Sequence, residues 1–147
     1  MNFKKSTRYA LYAAMEMARS AESTPITAAQ VAARYGIPSS VLAKTFQQLV
    51  RAGLATGTRG VRGGYALTRP AATVTVLEVI EAFEPPGSSQ QCLIADEEAD
   101  CLESDLCRLR RLVEEVDEIA RCTYASVTLD TLAGNRSGRD EAASVGR

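Results

Sequence analysis

The sequence predicts a mainly α-helical chain with one small β-hairpin: a winged helix-turn-helix followed by a long C-terminal helix. Three features carry that reading. Two short amphipathic segments are separated by Gly36-Ile37-Pro38, a glycine-rich stretch follows at 54–67, and an apolar repeat with three- and four-residue steps runs from about Leu106 to Cys122.

Each element has a local reason. Residues 7–21 place Tyr9, Tyr12, Ala13, Met15, Met17 and Ala18 in helical spacing, and Pro25-Ile26 breaks the run. Thr27-Ala28-Ala29-Gln30 matches a capping box, in which the Thr hydroxyl takes an early backbone N–H and the Gln reaches back. That helix runs to Tyr35 and stops at Gly36, a residue suited to the left-handed turn that ends a helix. Pro38-Ser39-Ser40 opens a third helix over 38–51, with Val41, Leu42, Phe46, Leu49 and Val50 expected to be buried and Gly53 ending it. Residues 54–67 then read as a hairpin with a glycine-rich tip holding Arg59 and Arg62. Thr75-Val76-Leu77-Glu78 is a second capping box, opening a helix with Val76, Val79, Ile80 and Phe83 inward.

Organisation follows from length and composition. At 147 residues the chain is about one domain's length. It divides into a winged helix-turn-helix over 1–84, a cysteine-containing loop over 85–107, a dimerisation helix with a short final helix over 108–134, and a disordered tail rich in Gly, Ser, Ala and charge over 135–147. No apolar run approaches the roughly 20 residues of a membrane span. The first residues lead directly into an amphipathic segment rather than an export signal, which makes a cytoplasmic location and reduced cysteines the expectation.

The net charge of −1 conceals an asymmetry. Residues 1–70 hold ten Lys and Arg against two acids, a net +8, whereas 71–147 hold seven against sixteen, a net −9. A basic half on a helix-turn-helix points to a polyanion. The outer side of helix 38–51 carries Ser39, Ser40, Ala43, Lys44, Gln47, Gln48 and Arg51. Small polar residues near a helix start allow close approach to the major groove, so Ser39, Ser40, Lys44, Gln47 and Arg51 are DNA-contact candidates. Arg59 and Arg62 join them, because an arginine-tipped hairpin suits a minor groove and its phosphates. A nucleotide-binding glycine loop is excluded: no Gly-Lys-Ser/Thr follows and no βαβ frame surrounds the glycines.

The run from Thr7-Arg8-Tyr9-Ala10 through Gly36-Ile37, Leu42, Phe46, Leu49, Gly53-Leu54 and Arg59-Gly60-x-x-Gly-Gly-Tyr65, with Thr128-Leu129-Asp130-Thr131-Leu132 near the end, resembles the IscR/NsrR/RirA/CymR family of bacterial winged-helix transcription regulators, in its iron–sulfur-binding branch. The resemblance covers about residues 1–134. It implies a homodimer on a partly palindromic double-stranded operator, with Arg59 in the minor groove and helix 38–51 in the major groove. Two departures stand out. Ala43 occupies the position of a base-reading glutamate, so the operator preference of such relatives does not carry over. The chain has no histidine, and Arg8 stands where some relatives place a ligating aspartate, so neither of those ligand solutions is present.

Pro85-Pro86-Gly87 begins a loop with Cys92, Cys101 and Cys107 in a C-x8-C-x5-C arrangement, among six acidic residues. Loop cysteines have little core to pack into, and thiolates at flexible spacing wrap soft metals or clusters. On the residues alone an iron–sulfur cluster, a zinc ion and a metal-free thiol switch all remain open. The resemblance favours a 2Fe-2S or 4Fe-4S cluster, whose type and fourth ligand the sequence leaves undecided. Cys122 lies about 22 Å along a helix from Cys107, which removes it from that site and leaves it the role of a small buried hydrophobe. The stripe Leu109, Leu112, Val113, Val116 and Ile119 is expected to pair with its copy in a homodimer. An enzyme is not expected, since the chain has neither a histidine base nor a C-x-x-C pair.

Overall fold

Alanine decides how the first helix packs. In a computed structural model, which describes residues 3–20, 24–86 and 108–134, helix α1 spans Lys5–Arg19 and buries Ala10, Ala13, Ala14, Met17 and Ala18. These positions form an i, i+3, i+4, i+7, i+8 stripe, and their short side chains let neighbouring helices approach closely. Of the residues that helical spacing groups, Ala13, Met17 and Ala18 are in the core. Tyr12 is exposed and Tyr9 and Met15 are only half-buried, since they lie beside the alanine stripe that turns inward.

The capping boxes form as their residues require. In α2 (Ala28–Tyr35) the Gln30 N–H donates to the Thr27 hydroxyl at 3.2 Å and the Thr27 N–H donates to the Gln30 side chain at 2.8 Å. Gly36 ends the helix at φ 64°, in the left-handed region. Helix α3 (Ser39–Arg51) buries Leu42, Thr45, Phe46 and Leu49. Val41 and Val50, expected in the core, are each 38% exposed: they flank the stripe that 3.6-residue periodicity turns inward. Thr45 takes an inner place by donating its hydroxyl to the Val41 carbonyl at 3.0 Å.

Strands β1 (Ala55–Thr58) and β2 (Gly64–Leu67) pair antiparallel, with Gly57 opposite Tyr65. A single 3-10 turn at Ala71–Thr73 leads to α4 (Val76–Glu81), whose capping box closes through Thr75 and Glu78. Val76, Val79, Ile80 and Phe83 are buried as expected.

Helix α5 (Arg108–Ser126) is continuous for 19 residues. Helix α6 (Leu129–Ala133) returns to the body, where Leu129 is fully buried in the core shared with Phe46, Leu42 and Val79. Its entry is held by main chain: the Leu129 N–H donates to the Val74 carbonyl and the Val76 N–H to the Val127 carbonyl, both at 2.9 Å. No helix among the described residues is long and apolar enough to cross a membrane. Cys92, Cys101, Cys107 and the tail over 135–147 lie outside the described residues.

Candidate nucleic-acid interface

Between Glu22 and Glu78 the chain contains no acidic residue but six cationic ones: Arg34, Lys44, Arg51, Arg59, Arg62 and Arg69. The fold places most of that charge around α3 and the hairpin. Ser40, Lys44, Gln47 and Arg51 follow i, i+4, i+7, i+11 spacing and are all exposed, opposite the buried Leu42–Thr45–Phe46–Leu49 stripe. Ser39 is exposed in the first turn, to one side of them. An uninterrupted polar stripe on a helix with a firmly buried back is the geometry needed to lie in a major groove.

The wing is fixed to this helix rather than hanging free. The Tyr65 ring stacks on Phe46 of α3, with centroids 4.5 Å apart and planes 11° from parallel. Tyr65 is also tied by its backbone, accepting from the Ile26 N–H at 2.9 Å and donating to the Ile26 carbonyl at 2.7 Å. Gly64 allows this approach, since a Cβ there would lie 2.7 Å from the Ile26 oxygen. At the tip, Gly60 has φ 113° and its carbonyl accepts from the Gly63 N–H at 2.9 Å, closing the turn that carries Arg59 and Arg62 into solvent. The hairpin that carries the arginines is therefore tied to α3 through Tyr65.

A buried carboxylate sets the neighbouring helices. Glu16 of α1, with a side chain 10% exposed, accepts from Arg19 at 2.9 Å, from Arg34 at 3.0 Å and from the Tyr35 hydroxyl at 2.7 Å. Tyr35 also lies against Tyr12, centroids 4.7 Å apart. Burial and donation to Glu16 push the Tyr35 hydroxyl above the ordinary tyrosine value. The signal for this network was an acid among alanines in an otherwise basic stretch, but periodicity alone did not single it out. Gln48 also differs from its sequence reading. It is half-buried, and its amide donates to the Ala82 carbonyl at 2.9 Å instead of facing outward with Gln47.

Two stripes run along α5. Val113, Asp117, Ala120, Arg121 and Tyr124 are half-buried, and Tyr124 meets Phe3 with centroids 5.6 Å apart. Leu109, Leu112, Val116 and Ile119 lie on an adjacent, exposed stripe, Ile119 being 68% exposed. Val113 thus sits apart from the four residues with which its spacing grouped it. Cys122 is exposed rather than buried, with its thiol 3.8 Å from a Glu118 carboxylate oxygen. The helix turns it away from the body, and about 21 Å of axis separates it from Arg108 at the helix start. Among the described residues no group of three His, Cys, Asp or Glu is placed to hold a metal ion.

Residues 3–135 match the profile of Rrf2, described as an iron-dependent transcriptional regulator. The sequence is 33% identical over 132 residues to BadM of Rhodopseudomonas palustris, assigned by name to the HTH-type transcriptional regulators, spanning 90% of this chain and 81% of BadM. It is 30% identical over 142 residues to the HTH-type transcriptional regulator IscR of Xenorhabdus nematophila, spanning 97% and 85%. Its fold superposes on that of CymR, the global cysteine regulator of B. subtilis, with a TM-score of 0.65 at 24% identity, over 93% of this chain and 99% of CymR. T. potens IscR gives 0.72 at 19% identity, over 95% and 93%.

Proposed function

The chain belongs to the Rrf2 family of transcription regulators, and from that premise we propose that it reads an operator as a cytoplasmic homodimer and that an iron–sulfur cluster on Cys92, Cys101 and Cys107 governs its affinity. The observation that carries the DNA reading is the Ser40–Lys44–Gln47–Arg51 stripe locked beside the arginine-tipped wing by the Phe46–Tyr65 stack. In this reading Ser39, Ser40, Lys44 and Gln47 meet the major groove, Arg51 a phosphate, and Arg59 and Arg62 the minor groove and its backbone. The exposed stripe Leu109, Leu112, Val116 and Ile119, with Val113 at its border, pairs two chains. Pairing sets two α3 helices about 34–36 Å apart, the spacing of successive major grooves on one face of a duplex.

Cysteine thiolates are the donors that iron–sulfur clusters use, and three of the usual four are present here; the family description and the IscR relatives support that assignment. When bound, a cluster supplies a metal centre responsive to iron supply, redox state or nitric oxide. The chain's part is to hold it on Cys92, Cys101 and Cys107 in the segment that joins α4 to α5. Without histidine, and with Cys122 far along α5, the remaining ligand is a carboxylate, a group from the second chain or an exchangeable molecule.

Anaerobic absorbance with iron and sulfide analysis tests the cluster, on the wild-type chain and on Cys92→Ala, Cys101→Ala and Cys107→Ala. Visible charge-transfer bands with equal iron and sulfide, lost in each variant, are expected, and the iron stoichiometry assigns 2Fe-2S or 4Fe-4S. A colourless, iron-free chain after reconstitution overturns the cluster. The same three cysteines then act as a zinc site or a metal-free thiol switch, a reading favoured by the likeness in fold to S. aureus CymR, which has been crystallised in an oxidized form. Operator binding against salt tests the DNA contacts. Arg59→Ala and Arg62→Ala each lower the slope of log affinity against log salt by about 1 if they neutralise a phosphate.

A further inference from the structure

The end of α4 is where three other helices are tied. The Glu81 carboxylate accepts from Arg121 of α5 at 2.6 Å. The carbonyl of Ala82 accepts from the Gln48 amide of α3 at 2.9 Å. Glu84 accepts from the Lys4 N–H at 2.8 Å and from the Thr7 hydroxyl at 2.5 Å, at the start of α1. At its other end α4 is joined to the link between α5 and α6 by the Val76 N–H on the Val127 carbonyl and by the bridge between Thr75 and Thr128.

These ties have a mechanical consequence. A helix of six residues is about 9 Å long, and α4 is bonded to α5 at one end and to the residues that directly follow α5 at the other, so displacing α5 displaces α4. The Ala82 carbonyl lies at a helix terminus, where backbone acceptors lack partners within the helix. Gln48 supplies that partner from α3, one residue and about 100° of helix rotation beyond Gln47 on the reading stripe. A bond at that angle resists roll of α3 about its own axis, the motion that would turn Lys44 and Gln47 away from a groove.

We propose that Gln48 is a positioning residue for DNA recognition: by holding the Ala82 carbonyl it sets the roll of α3 on α4, and through Glu81–Arg121 it makes that roll depend on α5. The inference rests on the DNA-binding reading of α3 and adds the route by which the pairing helix bears on the reading face. Packing alone offers a simpler account, in which Val79, Ile80 and Phe83 seat α4 whatever Gln48 does. Stability then falls on substitution, but operator affinity of the folded protein does not.

A double-mutant cycle separates the two. Operator affinity is measured by anisotropy on a duplex selected by the wild-type full chain, at a temperature where circular dichroism shows every variant folded. The variants are Gln48→Met, Arg121→Met and the pair. Glu81→Gln cuts the same ion pair if Arg121→Met does not fold. Each single substitution is expected to weaken binding about three- to tenfold, and the double no more than the weaker single, because both cut one path. Losses that multiply, or a Gln48→Met variant that binds like wild type, overturn the coupling and leave the DNA reading intact. A wild-type chain that selects no duplex overturns both.

Discussion

Tyr65 of the wing and Phe46 of α3 lie face to face, 4.5 Å between ring centres and 11° from parallel. Phe46 is fully buried and Tyr65 half-buried, so the contact joins the core to the hairpin that carries Arg59 and Arg62. Tyr65→Leu keeps apolar bulk but removes the flat stacking surface. It is expected to cost about 0.5–1.5 kcal/mol in urea unfolding and to weaken operator binding. Unchanged affinity in the folded variant would mean that the Ile26 bridge alone orients the wing.

Glu16 is a buried charge satisfied by three donors. Glu16→Ala strips the acceptor from Arg19, Arg34 and the Tyr35 hydroxyl. Arg34 is largely exposed and rehydrates, so the loss falls chiefly on Tyr35 and Arg19. About 1.5–3 kcal/mol of stability should disappear. Because the Tyr35 value is raised in the folded state, its contribution is complete below the ordinary tyrosine value and is lost as pH rises through the raised one. Ultraviolet titration should move one tyrosine back toward the ordinary value in Glu16→Ala, while burial still holds it somewhat high.

Burial pushes the Glu78 carboxyl up, but the Thr75 N–H and the Arg69 guanidinium outweigh it and hold it below the usual glutamate value. The sign follows: the stabilisation is complete above the ordinary value and is lost as pH falls through the lowered one. Glu78→Gln keeps an acceptor for the capping box and loses the charge toward Arg69. The partly exposed pair makes the expected cost at pH 7 modest, at most about 1 kcal/mol. Urea unfolding at pH 7 and pH 3 checks this, and the gap between wild type and variant should close in acid.

Ile119 faces solvent on α5 in the single chain. Under the proposed pairing, Ile119→Glu should leave the circular dichroism spectrum nearly unchanged, give a monomer by light scattering after size exclusion, and remove the concentration dependence of melting that pairing brings. Operator affinity should fall with it, since one half-site then binds alone. A variant that stays dimeric would place the pairing surface elsewhere.

Local chemistry was legible wherever a few adjacent residues settle it. Thr27 with Gln30 and Thr75 with Glu78 form the capping boxes that their spacing implied, and Gly36 takes the left-handed turn. The Gly60–Gly64 tip closes with Arg59 and Arg62 outside, as composition suggested. Helix rotation was less legible. Tyr12, Val41 and Val50 share apolar character with buried residues, yet side-chain size and partners from distant segments decided which positions turned inward.

The sequence by itself determined where α2 begins and ends and where α4 begins, that one hairpin follows α3, that the basic and acidic halves are separate, and that three cysteines stand between α4 and α5. These depend on the nearest few residues or on counting. By contrast, α1 starts two residues earlier than its spacing implied and α5 runs four residues further, to Ser126. Only the tertiary structure decided that Gln48 turns to Ala82, that Tyr65 stacks on Phe46, that Glu16 collects Arg19, Arg34 and Tyr35, and that Cys122 faces outward. The partners in the first two of those contacts lie 34 and 19 positions apart. A side chain's direction there is set by what distant segments bring opposite it, which no local propensity encodes.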